Sequence, residues 1–287
     1  MTEPGAAVPL VAAIETIIAI VPDINPPLEA LTRLGFSEVW RDGGGDEHVS
    51  CAVSLGDCDL ELMAPRDSNG PSYFAGLLRD RPGLTMLSLG TPDIDATVSG
   101  FRDRGLRVQD PTFRQGARRK FRFVMAGRSV TPGIRAMITQ YEDPSPRTRG
   151  SDPMKIKKLD HVVIATADLD NALELWQRNV GLTQDAELDK PLGSGFKVAR
   201  VPIGESFLEL VQPVEEAGRF YEQFRQRGEG LFSISVEVED LDEAVSHLRA
   251  NGATVSEPEP SIWPGARVAR INQGSTHGVS IQLIERK

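Results

Sequence analysis

The sequence predicts an α+β protein built from four copies of one module, and three observations carry the prediction. A short signature recurs as Pro22-Asp23-Ile24-Asn25, Pro92-Asp93-Ile94-Asp95, Ala167-Asp168-Leu169-Asp170 and Glu239-Asp240-Leu241-Asp242, and each copy is followed by a glycine: Gly35, Gly105, Gly181 or Gly252. The four aspartates Asp23, Asp93, Asp168 and Asp240 stand 70, 75 and 72 residues apart, so four modules fill the chain. Inside each module the hydrophobic period changes in the same order, from a strand-like run to a helical spacing and back.

The elements follow in turn. Ahead of each aspartate lies an apolar run rich in β-branched residues, Ile14 to Val21, Leu84 to Leu89, His161 to Ala165 and Phe232 to Val238, and these predict strands. Behind it, Ala172, Leu173, Leu175 and Trp176, or Ala244, Val245 and Leu248, recur at helical spacing. The aspartate offers a side-chain acceptor to the orphan N–H groups at the helix start, and the glycine ends the helix in a left-handed turn. Two hairpins follow from Val49–Ser54 and Cys58–Met63 around Leu55-Gly56-Asp57, and from Phe196–Pro202 and Ser206–Val211 around Ile203-Gly204-Glu205. The Pro- and Ser-rich stretch from Asp143 to Pro153 reads as a linker. Two domains of two modules each are expected, residues 1–145 and 155–287.

Composition narrows the function. With 40% hydrophobic and 25% charged residues the chain is ordinary globular material. A net charge of −9 argues against nucleic acid, whose binding rests on cationic contacts to phosphate. Two cysteines, Cys51 and Cys58, cannot make a disulfide framework and point to a reducing, cytoplasmic setting. The apolar stretch from Ala6 to Val21 is broken by Pro9 and Glu15 and is too short for a membrane span. A soluble protein with a small-molecule partner, monomeric or homodimeric, is the expectation. Gly43-Gly44-Gly45 lacks the lysine of a phosphate loop, so nucleotide chemistry is not indicated.

A repeated β-α-β-β-β module resembles the vicinal oxygen chelate superfamily, which includes glyoxalase I, methylmalonyl-CoA epimerase, extradiol dioxygenases and the bleomycin- and fosfomycin-resistance proteins. The likeness is strongest in Lys158-Leu159-Asp160-His161-Val162-Val163-Ile164-Ala165, Phe207-Leu208-Glu209-Leu210, Gly228-Glu229-Gly230-Leu231 and Thr276-His277-Gly278-Val279-Ser280-Ile281-Gln282-Leu283, which look most like the epimerase branch. The resemblance implies two domains, each an open curved mixed sheet with helices on its outer face. It also implies that one residue on each of four strands converges on a divalent metal. Carried over by motif, those positions in the second domain are His161, Glu209, Ser233 and Gln282. Alternation independently turns Ser233 and Ser235 away from Ile234 and Val236.

Two departures weaken the implied metal centre. Serine stands where the resemblance expects histidine, and neutral glutamine where it expects glutamate, so His161, Glu209 and Gln282 make at best a degenerate site for one divalent ion. Only His161 remains of the two-histidine, one-carboxylate triad that ring cleavage needs. In the first domain the matching positions are Thr16, Glu61, Met86 and approximately Thr139, and no metal is expected there.

The expected function is a lyase or isomerase acting on a small oxygen-rich compound through an enolate-like species, with His161 and Glu209 as the reacting groups. The alternatives are a metal-free binding protein of the resistance type and, further off, a dioxygenase-like oxidoreductase. Ser233, Ser235, Trp263 and Arg267 are the expected substrate contacts. The arginine-rich segment 114–135, with Arg114, Arg118, Arg119, Lys120, Arg122, Arg128 and Arg135, reads either as a solvated hairpin or as an anion site. His48, His247 and His277 carry little chemical promise, and the cysteines read as half-buried strand residues without activation.

Overall fold

A computed structural model describes residues 9–42, 45–116, 119–143, 152–189 and 191–287. Residues 6–8 of the first apolar run, Gly43, Gly44, Arg118 and positions 144–151 of the expected linker lie outside the described residues.

The first module runs β1 (Ala13–Ile20), α1 (Asn25–Arg33), β2 (Glu38–Asp42), β3 (His48–Ser54) and β4 (Asp59–Pro65), and α2 (Tyr73–Asp80) follows it. The second runs β5 (Gly83–Gly90), α3 (Ile94–Asp103), β6 (Thr112–Gln115), β7 (Lys120–Ala126) and β8 (Arg135–Tyr141). The third has β9 (Ile156–Ala165), α4 (Leu169–Leu175) continuing into a π turn over Trp176–Val180, then β10 (Ala186–Asp189), β11 (Phe196–Ile203) and β12 (Ser206–Pro213). After α5 (Gly218–Arg227), the fourth has β13 (Gly230–Val238), α6 (Leu241–Ala250), β14 (Glu259–Pro260), β15 (Ala266–Arg270) and β16 (Ile281–Arg286). Four β-α-β-β-β modules in an α+β fold are what the repeat predicted.

The strands form two mixed sheets of eight, ordered β2-β3-β4-β1-β5-β8-β7-β6 and β10-β11-β12-β9-β13-β16-β15-β14. The first, second and fourth modules close with a parallel pairing to their first strand, β1 with β4, β5 with β8 and β13 with β16, outside which the hairpins run antiparallel. Contacts group the chain into two compact units, one of Met1–Ile14, Met86–Pro144 and Val163–Leu231, the other of Glu15–Thr85, Ser145–Val162 and Phe232–Lys287. The first unit thus holds the second and third modules. They are joined by bonds such as Arg104 Nη1 to the Asn179 carbonyl at 2.9 Å and Asn179 Nδ2 to the Ser129 carbonyl at 3.0 Å. The other unit holds the first and fourth modules and the start of β9. There the Leu159 N–H donates to Asp57 Oδ1 at 2.7 Å, and Gly56, at φ +94°, lets its turn lie against Lys157, whose carbonyl oxygen would stand 2.7 Å from an added Cβ.

Helix capping follows the repeat in three modules and fails in one. Asp93 accepts from the N–H of Asp95 and Ala96, Asp168 from Asn171 and Asp240 from Glu243. In the first module the third residue after Asp23 is Pro26, which has no N–H to give. Asp23 takes the Asn25 N–H at 2.9 Å instead, and Ile24 occupies the N-cap without a side-chain bond. A second device recurs in the same three modules: the backbone N–H of Ile94, Leu169 or Leu241 donates to Gln140, Gln212 or Glu285 on the module's last strand. These bonds also fix which sheet face meets the helix.

Two helices, α2 and α5, have no counterpart in the repeat and were not expected. For α2 the signal was Ser72, whose hydroxyl accepts from the Ala75 N–H; α5 has no side-chain cap and buries no residue, so periodicity gave nothing to find. Strand β9 begins at Ile156 rather than near His161, because the charges that hide it in sequence are paired, Lys157 Nζ with Glu237 at 3.0 Å and Asp160 with Arg286. Cys51 and Cys58 are fully buried rather than half-buried, and Cys58 sits in the turn before β4. Burial pushes the Cys51 thiol up to about 11, the opposite of activation.

Candidate active site

Backbone alternation assigns each polar strand residue to a face. Glu285 accepts from the start of α6, so Gln282, Ile284 and Arg286 on the same strand point to the sheet's other face. The register sets Ser235 level with Gln282, and the Gln282 amide donates to the Ser235 hydroxyl at 3.2 Å. Ser233, two residues earlier on β13, shares that face and is partly exposed, whereas Ser235 is buried. Ser233, Ser235 and Gln282 are therefore brought to one face of the β13·β16 pair.

His161 is buried on β9 and its Nδ1 lies 2.6 Å from Asp160 Oδ2. Asp160 is fully enclosed, and Arg286 reaches it with both branches of its guanidinium, Nε to Oδ1 at 2.5 Å and Nη2 to Oδ2 at 2.8 Å. Burial alone would raise the Asp160 carboxyl, but hydrogen bonds from Arg286 and His161, and their charges, hold it well below the usual carboxylate range. An ionised carboxylate only accepts, so His161 Nδ1 carries a proton and donates it to Asp160. Sequence reasoning missed both Asp160 and Arg286. Asp160 stood in the quoted motif beside His161, while Arg286, 126 residues away, had no signal of its own.

Glu209 belongs to the other compact unit and sits on β12, directly opposite Arg200 of β11 in the antiparallel register. Gln212 accepts from the start of α4, so Glu209 points to the face away from that helix, where it is buried. Arg200 stacks over Phe207, 4.5 Å from the ring centroid, and grips Asp185 at 2.8 and 2.9 Å.

The two remaining expected contacts have structural occupations. Arg267 holds Asp242, in the first turn of α6, through two bonds of 2.9 Å and also reaches Glu285, which draws its guanidinium to the helix side. Trp263 is only 4% exposed in the turn before β15. Arg122 repeats the Arg267 device in the second module, with bonds of 2.6 and 2.8 Å to Asp95, so it serves to fasten a helix. Arg114 and Arg119 lie over the rings of Phe123 and Tyr141. His48 packs against Phe74, and His247 bonds Asn251 on its own helix. His277 caps a 3₁₀ turn in the left-handed region.

In the first sheet, Thr16 and Met86 occupy the matching strands and are buried. The β5·β8 register sets Met137, rather than Thr139, level with Ser88, and Ser88 bonds the Thr139 hydroxyl at 2.8 Å.

Two eight-stranded mixed sheets of duplicated β-α-β-β-β modules, with a polar face in the second, define the class to which this protein belongs. The model of the Glyoxalase/Bleomycin resistance protein/Dioxygenase superfamily matches residues 17–123 and again 160–269, and the chain belongs to that superfamily. It is 28% identical over 137 residues to the mitochondrial methylmalonyl-CoA epimerase of Dictyostelium discoideum, covering 46% of this chain and 80% of that one. A mutant of 4-hydroxymandelate synthase from Streptomyces coelicolor superposes with a TM-score of 0.75 at 15% identity, over 98% of this chain and 94% of that one, and so shares the fold. The methylmalonyl-CoA epimerase of Mycobacterium tuberculosis is 25% identical, with a TM-score of 0.44, over 48% of this chain and 94% of that one. The Dictyostelium discoideum relative is an enzyme by name, in agreement with the expectation of an enzyme. No helix among the described residues is long and apolar enough to cross a membrane.

The residues fit a divalent metal poorly. Among the described residues no three His, Cys, Asp or Glu side chains form a group that could hold one. A hydroxyl and a neutral amide stand at two of the four positions that the resemblance implies, and both are weak donors for such an ion.

Proposed function

We propose that this protein is an isomerase- or lyase-type enzyme that moves a proton at a carbon beside a carbonyl group, with His161 as the proton-carrying residue. The observation that supports it best is the 2.6 Å bond between His161 Nδ1 and a buried, ionised Asp160. With Nδ1 held against the carboxylate, Nε2 is the ring nitrogen through which a proton would be taken up or given, as general acid–base catalysis requires. Similarity to a methylmalonyl-CoA epimerase makes an acyl thioester or a related oxygen-rich acid the first substrate class to examine. Ser233 and the Gln282 amide, on the β13·β16 face, are neutral hydrogen-bonding groups suited to a carbonyl oxygen on which negative charge develops. Glu209 is the second candidate proton carrier, by its motif and its burial on β12.

The test is incubation in D2O with a panel of 2-substituted acyl thioesters and 2-hydroxycarbonyl compounds, read by mass spectrometry. Wild-type protein exchanges the α-hydrogen of at least one class and His161→Gln loses the exchange by about 100-fold or more. Full exchange by His161→Gln would overturn the assignment. The second reading, a metal-free binding protein, draws on Ser233 and Gln282 in place of strong ligands. Calorimetric binding of a compound that is never exchanged would favour it, whereas stoichiometric Mn²⁺, Co²⁺, Zn²⁺ or Fe²⁺ uptake abolished by His161→Ala would replace both with a metal-assisted reaction.

A further inference from the structure

We infer that Arg286, next to last in the sequence, is a positioning residue for His161 and acts entirely through Asp160. The inference rests on His161 being the proton carrier, but its test does not need a substrate. Three facts support it. The guanidinium meets the carboxylate as a two-pronged fork, 2.5 Å from Oδ1 and 2.8 Å from Oδ2, a geometry that fixes the plane of the carboxylate as well as its charge. The same Oδ2 that accepts from Arg286 Nη2 accepts from His161 Nδ1, so the plane Arg286 sets is the plane the imidazole reads. The Asp160 side chain is fully enclosed while that of Arg286 remains 24% exposed, so the carboxylate has no solvent route to its charge balance and the arginine provides one from the end of β16.

Lysine keeps the charge but cannot form the fork, which separates electrostatics from orientation. Arg286→Lys, Arg286→Gln and Asp160→Asn are compared with wild type by long-range ¹H–¹⁵N NMR of the histidine rings at a pH where His161 is neutral, and circular dichroism confirms folding. Wild type shows His161 as a single Nδ1–H tautomer; Arg286→Gln shows a mixture of tautomers; Arg286→Lys falls between them. On an exchanged substrate, Arg286→Gln lowers kcat about 10–100-fold, the range for partners that orient a functional histidine, with KM little changed. A single unshifted tautomer in folded Arg286→Gln would overturn the inference, as would Arg286→Lys indistinguishable from wild type in both readouts. Wild-type protein that exchanges nothing would sink the proton-transfer reading, and the tautomer measurement would still decide the role of Arg286.

Discussion

The second and fourth modules place different chemistry on the same backbone. In the fourth, the face away from the helix carries Ser233, Ser235, Gln282 and Arg286, beside small apolar residues Ala266 and Val268 on the neighbouring strand. In the second, the corresponding strands present Met86, Ser88, Met137 and Tyr141, with Phe121 and Phe123 where the fourth has Ala266 and Val268. Phe121 stands 5.8 Å from the rings of both Phe123 and Tyr141, so that face is a cluster of large apolar groups. The helix side is the same in both: an aspartate cap, a strand residue accepting the next N–H, and an arginine from the hairpin gripping a first-turn aspartate. The scaffold is thus kept by one face of each strand and the chemistry is written on the other, because alternation lets the two vary independently.

The contrast extends to the first strand of each sheet, where Glu15 and Thr16 stand at the motif positions of Asp160 and His161. A line of arginine, carboxylate and imidazole needs all three residue types, and the first sheet offers glutamate, threonine and tyrosine instead.

The predictions press on this difference. Asp160→Asn removes the buried carboxylate that two partners share, and should cost about 3 kcal/mol, the scale for breaking a buried charged network, measured by urea unfolding at neutral pH. The cost should depend on pH in a definite direction. Because the folded carboxyl is held below its unfolded value, its stabilisation is complete above the ordinary aspartate range near pH 4 and fades as pH falls toward the folded value. Wild type and Asp160→Asn should therefore converge at low pH; a gap that stays constant down to pH ~2 would contradict the assigned ionisation. At the next scale, Asp168→Ala or Asp240→Ala should each lose about 1 kcal/mol through the missing helix cap. Asp23→Ala should lose less, since Pro26 denies it the same bond; equal losses in calorimetry would break the capping argument. The smallest effect is kinetic: the Cys51 thiol, buried and pushed up to about 11, should ignore a thiol reagent at pH ~8 until the protein unfolds.

Much of this was legible in sequence, and the reasons it was not complete are physical. The four modules, their strand-helix order and both hairpins followed from periodicity, because the central strands are buried apolar runs and the helix of each module shows one apolar stripe. His161 and Gln282 could be placed by motif, and Ser233 and Ser235 by alternation. What escaped was whatever depends on distant pairing. Asp160 looks like a solvent-side residue until Arg286 is seen to close on it across 126 positions, and Arg267 looks like a ligand contact until Asp242 claims it. The counterpart of Gln282 in the first sheet depends on strand register, which pattern alone does not give: Met137, and not Thr139, stands level with Ser88.

On the function proposed, the second sheet, and not the first, holds the reacting group. The most direct measurement is the rate of α-deuterium incorporation by His161→Gln beside that by Thr16→Val, which alters the matching strand of the first sheet. The prediction is a loss of about 100-fold or more for His161→Gln and a wild-type rate for Thr16→Val. Retained exchange in His161→Gln, or loss in folded Thr16→Val, would contradict it.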